Sequence, residues 1–223
     1  MNTDRRTRLR DEILVAARGL ARLERLVATV TGRGPGDAKF AAALEVLDTL
    51  SRREGIPMAI VGGMAAIHHG YERFTKDIDI VVGKGHLHPL IRVAPQYGIK
   101  VIWQDPGGWH KLRYGGVDIE IVPEGGEPRK KAPTTIPGLK QLGVQEGAQY
   151  ATLEGWMETK LASDRQLDRA DVVQVIKKTD SPTLRKVRNR IARVHRTYLR
   201  RFDALHALAE EEMEQERERG GPR

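Results

Sequence analysis

The sequence predicts an α+β fold. A mixed sheet over about residues 55–150 is flanked by a helical N-terminal extension (1–54) and a helical C-terminal region (151–223). Three observations predict it. The segments DIDIVV and VDIEIV alternate apolar and acidic residues with a period of two, as half-buried strands do. Both ends of the chain instead repeat apolar residues every three or four positions, the period of a helix. Between them, the apolar run MAIV leads straight into Gly62-Gly63, which reads as a strand turning into a helix.

Taken in order, residues from about 5 to 31 read as a helix, with Leu9, Ile13, Ala16, Leu20, Leu23 and Val27 at helical spacing. The stretch TGRGPGD breaks it, and Asp37 can cap a second helix to about Arg53. Gly55 ends that helix and Pro57 opens the strand MAIV. A short helix of small residues, MAAIHH, runs to Gly70 and precedes the strand within RFTKDIDIVV. HLHPLIRVAPQYG is helical in part, limited by Pro89 and Pro95. IKVIWQ, WHKLRY and VDIEIV are three further strands, the last two joined by a Gly115-Gly116 hairpin turn. PEGGEPRKKAPTTIPG reads as a long exposed loop. Helices then cover about 153–164 and 168–178, and one long helix starts near Thr183 behind Pro182.

Composition narrows the function classes. With 223 residues and 39% hydrophobic content, the chain can bury a sizeable core. No run approaches the roughly 20 apolar residues that span a bilayer, so a membrane protein is excluded. Arg18 and Arg22 interrupt the first apolar run, which is too short for a secretory signal, and a cytoplasmic location is expected. The absence of cysteine excludes disulfides, thiolate zinc sites, iron–sulfur clusters and a cysteine nucleophile. A net charge of +8 points to an anionic partner.

Asp77 and Asp79 are the most informative pair. Two apart on a strand, they point to the same face and repel each other. Hard divalent cations take oxygen ligands, and two such ions can clamp the attacking and leaving oxygens of a phosphoryl transfer. Asp118 and Glu120 repeat the alternation on a second strand and supply a third carboxylate. A lone D-x-D is more often a solvated face. Gly62-Gly63 shifts the balance, because glycine lets a phosphate approach the backbone at a strand–helix junction.

VGGMAAIHHGYERFTKDIDIVV resembles the signature of the nucleotidyltransferase fold shared with DNA polymerase beta, in the branch of AbiEii-like toxins and related small nucleotidyltransferases. The positions that carry the resemblance are Gly62, Gly63, His69, Gly70, Arg73, Thr75, Asp77 and Asp79. It implies a nucleotidyltransferase-like sheet and a magnesium-dependent enzyme with an NTP as substrate. Asp77 and Asp79 would hold two magnesium ions, Gly62 and Gly63 would cradle the triphosphate, and Arg73 and Thr75 would line the nucleotide site. Glu120 would be the third carboxylate, since it precedes IVP as the family's third acid often does, although Asp118 shares its face and the choice stays open. Departures from the pattern are Glu in place of the usual Asp and the missing serine of the glycine–serine form.

The resemblance continues more weakly in ETKLASDRQLDRADVVQVI. Lys160, Asp164, Asp168 and Asp171 share one face if the helix is continuous, so Lys160 and Asp168 read either as a nucleotide-phosphate contact or as surface ion pairs. The last helix carries a stripe of Leu184, Val187, Ile191, Val194, Tyr198, Phe202, Leu205 and Leu208. Residues 181–209 hold eight Lys or Arg against one acid, a basic face over 183–208 that suits an RNA or tRNA acceptor as well as plain solvation.

Two functions follow. The first is transfer of a nucleoside monophosphate from an NTP to an acceptor hydroxyl on tRNA, protein or a small molecule. For it the resemblance adds a toxin role with an antitoxin partner. The second is a non-catalytic nucleic-acid- or partner-binding protein of the same fold. His86 and His88 fall in a loop or helix start without the acidic or cysteine partners of a site, and Trp103, Trp109 and Trp156 are too scattered for a base-stacking platform and read as core or rim.

Overall fold

The computed structural model describes residues 39–220. The helix expected over 5–31 and the cap expected at Asp37 lie outside the described residues. Helix α1 (Lys39–Glu54) buries Phe40, Ala43, Leu44, Leu47 and Leu50, one stripe at helical spacing. Strand β1 (Met58–Ile60) follows, then α2 (Gly62–His68) and β2 (Asp77–Val82). Two 3-10 turns bracket α3 (Leu87–Val93), and the strands β3 (Lys100–Gln104), β4 (His110–Tyr114), β5 (Val117–Pro123) and β6 (Ala148–Tyr150) complete the sheet. The helices α4 (Leu153–Ser163), α5 (Gln166–Lys178), α6 (Ser181–Val194) and α7 (Arg196–Glu218) close the described chain.

The sheet is mixed, with strand order β3-β4-β5-β2-β1-β6. The expected α+β class with flanking helices is therefore what the chain adopts. β2 and β5 run parallel at its centre, β4 pairs antiparallel with β5, and β1 pairs antiparallel with β2. Ile78, Ile80, Ile119 and Ile121 are fully or almost fully buried on one face, which leaves the acids of both strands on the other. The buried apolar residues form one cluster running from α1 to α7.

Three differences from expectation have local causes. β6 has only three residues, too few to show a period, and is held by parallel pairing to β1. The long C-terminal helix is two: His195 is extended (φ −164°, ψ 138°) and its Nδ1 accepts from the Thr197 N–H, which starts α7. The stripe survives the break, with Leu184, Val187, Ile191, Tyr198 and Phe202 buried and Leu208 exposed. The basic face expected over 183–208 is accordingly interrupted at His195. In the long loop after β5, Gly125 donates to Ile136 O and Ile136 donates to Gly126 O, so its two arms close on each other. Its return arm, Ile136–Gly138, is buried, against the expectation of exposure throughout.

Among the described residues, no helix is long and apolar enough to cross a membrane.

Candidate functional site

The parallel register of β2 and β5 sets Asp77 beside Asp118 and Asp79 beside Glu120. The antiparallel register of β4 continues both rows with cations, Arg113 beside Asp118 and Lys111 beside Glu120. Lys111 Nζ lies 3.3 Å from Asp118 Oδ2 and 3.1 Å from Glu120 Oε1, and Arg113 Nε lies 2.5 Å from Asp118 Oδ1. The Arg113 hydrogen bond holds the Asp118 carboxyl below the usual range, with Lys111 adding to it. Asp118 is thus matched by two cations, whereas Glu120 shares one.

Asp79 is in the opposite condition. Its carboxyl is pushed up to about 6, first by burial and next by repulsion from Asp77, with Glu120 contributing and Lys160 and Arg165 opposing. Thr75, itself buried, donates to Asp77 Oδ1 at 3.2 Å and orients that carboxylate. The glycine pair is packed by these same side chains. A Cβ on Gly62 (φ +61°) would stand 1.7 Å from Asp79 Oδ2, and one on Gly63 would stand 2.7 Å from Thr75 Oγ1 and 3.0 Å from Arg73 Nη2. Trp156 Nε1 donates to Gly62 O at 3.0 Å and fixes the turn from behind.

α4 and α5 face the acidic rows across a cleft. The helix carrying Lys160 is not continuous with that of Asp168 and Asp171: Asp164 takes a left-handed conformation (φ 55°) and Arg165 is extended. The break folds α5 back so that Lys160 Nζ meets Asp168 Oδ1 at 2.8 Å and Asp171 Oδ2 at 2.7 Å. These are not surface pairs, since Lys160 is 5% exposed and Asp171 fully buried. Arg73 Nε lies 2.9 Å from Asp171 Oδ1, and Arg165 Nε lies 2.8 Å from Asp168 Oδ2. Burial raises the Asp168 carboxyl, but Arg165 and Lys160 outweigh it and bring its pKa down to about 2. Asp164, expected on the same face, turns away to Arg129, Arg169 and Arg201.

Two cavities open on this centre, of about 200 and 360 Å³. Asp79, Glu120, Lys160, Arg165 and Asp168 line both. Gly62 lines the first, while Gly63, Arg73, Thr75 and Asp77 line the second. Asp118 lines neither. The structure therefore gathers every expected site residue except Asp118 at one centre.

Sequence reasoning placed Asp171 with Lys160 but missed Arg165, Trp109 and Arg129. Arg165 falls in the gap between the helices expected over 153–164 and 168–178, where its pairing with Asp168 depends on how the second helix folds back. Nothing in the sequence places Trp109 or Arg129 at the first cavity.

The carboxylates suit a hard cation by charge. Asp79 is raised first by burial and then by the neighbouring Asp77 and Glu120, and a dication relieves the repulsion part of that shift. Among the described residues, no three or more His, Asp or Glu side chains are grouped so as to hold a metal ion. Glu120 is drawn toward Lys111 and must exchange that partner to ligate.

No family model matches the chain, and no curated protein matches it in sequence. Among solved structures it is similar to the solution structure of the antibiotic-resistance factor ANT(2'')-Ia, at 13% identity and a TM-score of 0.42, covering 80% of this chain and 96% of that one. The crystal structure of ANT(2'')-Ia with adenylyl-2''-tobramycin is similar at 14% identity and a TM-score of 0.39, covering 77% and 98%. A CCA-adding enzyme in complex with ATP is similar at 17% identity and a TM-score of 0.36, covering 74% of this chain and 47% of that one. Likenesses this distant leave the functional reading to rest on the chain's own residues.

Proposed function

We propose that the chain is a metal-dependent nucleotidyltransferase that moves a nucleoside monophosphate from an NTP to an acceptor hydroxyl. The observation that carries this reading is the centre itself. Asp79 and Glu120 stand side by side on parallel strands, with Asp77 next along β2, and they form the common wall of two cavities. Transfer between two substrates needs one charged centre reached from two sides.

Asp77, Asp79 and Glu120 would hold magnesium. The metal, when bound, supplies Lewis-acid stabilisation of the charge that develops on the phosphoryl oxygens. Thr75 orients Asp77, and Gly62 gives Asp79 its place against the backbone. Glu120 is favoured over Asp118 as third carboxylate, because Asp118 is matched by two cations and lines neither cavity. Glu120 accepts the acceptor hydroxyl's proton as its oxygen closes on the α-phosphorus and pyrophosphate leaves. Lys160 cannot act as a freely offered cation, since Asp168 and Asp171 already hold it. It positions Arg165 through the shared Asp168, and Arg165 presents its remaining N–H groups to both cavities.

The test is pyrophosphate release with magnesium, each NTP in turn, and total tRNA, protein or aminoglycoside as acceptor. Release that disappears in Asp77→Ala and Asp79→Ala supports the reading. Absence of release with every NTP and acceptor, together with absence of magnesium-dependent nucleotide binding, leaves the non-catalytic binder instead. The AbiEii-like resemblance extends the proposal to a toxin with an antitoxin. Growth arrest on expression, lost in Asp79→Ala, tests that extension.

A further inference from the structure

A further cavity, of about 500 Å³, lies between the long loop after β5 and the helices α4 and α6. It falls within the roughly 300–1,000 Å³ of small-molecule sites. It shares no lining residue with the two cavities at the acidic rows. Glu158, 2% exposed, forms its floor, and burial pushes that carboxyl above its usual range against the pull of Arg190. Arg190 Nη2 donates to Glu158 Oε2 at 3.3 Å and to Gln141 O at 3.4 Å, both long for a charged donor. Nε and Nη1 of the same guanidinium are left for another partner. Arg193, three residues further along α6 and so on the same face, is exposed and among the described residues joins no ion pair. Two such guanidiniums repel each other unless an anion lies between them. From the loop, Thr134 Oγ1 shares a 2.8 Å hydrogen bond with Tyr198 OH, and Thr135 is exposed. Among the lining residues Val194 alone is wholly apolar, and none is aromatic.

We propose that this cavity is a ligand site, separate from the acidic centre, for a phosphorylated polyol such as a sugar phosphate. The phosphate lies between Arg190 and Arg193, which take it by charge and paired N–H donors. Ligand hydroxyls donate to the Glu158 carboxylate and exchange hydrogen bonds with Thr134 and Thr135, a set of contacts that a bare phosphate is too small to make together. A nucleobase finds no ring or flat apolar wall to stack on, so the site does not suit a second nucleotide. The ligand also reaches beyond its own cavity. Thr134 and Thr135 line it, while Ile136 and Pro137, next in the loop, line the first cavity at the acidic rows. Glu158 likewise precedes Thr159 and Lys160, which line that cavity from α4. A ligand that ties the loop to α4 and α6 therefore steadies one wall of the first cavity. The inference stands on these residues alone and needs no particular chemistry at Asp79.

The test is calorimetric titration of the full chain with glucose 6-phosphate and ribose 5-phosphate, beside inorganic phosphate and glucose. Both sugar phosphates are expected to bind more tightly than inorganic phosphate, and glucose to give no binding. Arg193→Ala, on an exposed residue with no ion pair to lose, is expected to weaken sugar-phosphate binding about tenfold, as loss of a hydrogen bond to a charged group does. Glu158→Gln, which keeps the shape of the floor, is expected to remove the preference for sugar phosphate over inorganic phosphate. Hydrogen exchange at the amides of residues 134–136 is expected to slow on binding, and saturating ATP with magnesium to leave the titration unchanged. No binding of either sugar phosphate, binding unaltered in Arg193→Ala, displacement by ATP, or loop exchange that does not respond overturns the site. Inorganic phosphate binding as tightly as the sugar phosphates overturns the polyol ligand. None of these results bears on nucleotidyl transfer, whose own failure would leave the site standing.

Discussion

The α-carbon of Gly62 lies against the carboxylate of Asp79, so closely that a Cβ at position 62 would stand 1.7 Å from Asp79 Oδ2. The glycine is required twice, by this contact and by its φ of +61°. It makes room for the protein's own acid at the centre of the site.

Gly62→Ala therefore displaces Asp79. Pyrophosphate release is expected to fall about 100-fold, since displacing a reacting group by about 1 Å costs that much. The left-handed backbone adds a stability loss of about 1–2 kcal/mol, read from urea unfolding.

The two acids of β5 separate by environment. Glu120→Gln is expected to lower turnover at least 100-fold, and Asp118→Asn to lower it less than fivefold, because Asp118 faces Lys111 and Arg113 and no cavity. Equal losses in the two variants would place Asp118 in the reaction.

The buried ion cluster is a stability element. Asp171→Ala leaves Lys160 with one partner and Arg73 with none of its Asp171 contacts, at a cost of about 3–5 kcal/mol in urea unfolding. Arg188→Ala breaks an exposed pair with Asp203 and is expected to leave the urea midpoint close to that of the wild type.

Acid acts on the fold through His69, Asp79 and Asp168, and the first two oppose each other. His69 donates from Nε2 to Ala151 O, and burial, helped by repulsion from His68, lowers its pKa from 6.5 to about 4. The unfolded chain therefore binds the proton first, and stability falls as pH drops from about 6.5 to about 4. Asp168, lowered from 3.8 to about 2, adds stability that is present above 3.8 and lost as pH falls toward 2. Asp79, pushed up from 3.8 to about 6, acts oppositely, because the cost of its buried charge is relieved as pH falls toward 3.8. Chemical denaturation is expected to show little net change from about 6.5 to about 4 in the wild type, a fall with acid in Asp79→Asn and a rise with acid in His69→Gln.

The acids and glycines of the site were legible because each is a local pattern: D-x-D on a strand of period two, and a glycine pair at a strand–helix junction. The strand that brings Glu120 beside Asp79 was legible as well, but not its register, which depends on pairing across some forty residues of chain. The Lys160 cluster was legible as a set of charges, and two helices over 153–164 and 168–178 were expected, but not the way the second folds back on the first. Only the left-handed turn at Asp164 folds α5 back to make the ion pairs internal. Likewise, no residue type announces the break at His195, whose extended backbone is repaid by its own side-chain cap on α7. Trp109 and Arg129 reach the first cavity from β4's approach and from the long loop, a meeting that only the tertiary fold creates.

Isotope placement tests nucleotidyl transfer most directly. The chain is incubated with magnesium, an RNA acceptor and one NTP labelled at either the α- or the γ-phosphorus. The α-label is expected to appear on the acceptor and the γ-label in pyrophosphate, with both events absent in Asp79→Ala. A γ-label on the acceptor, or an α-label that never leaves the nucleotide with any acceptor, would contradict it.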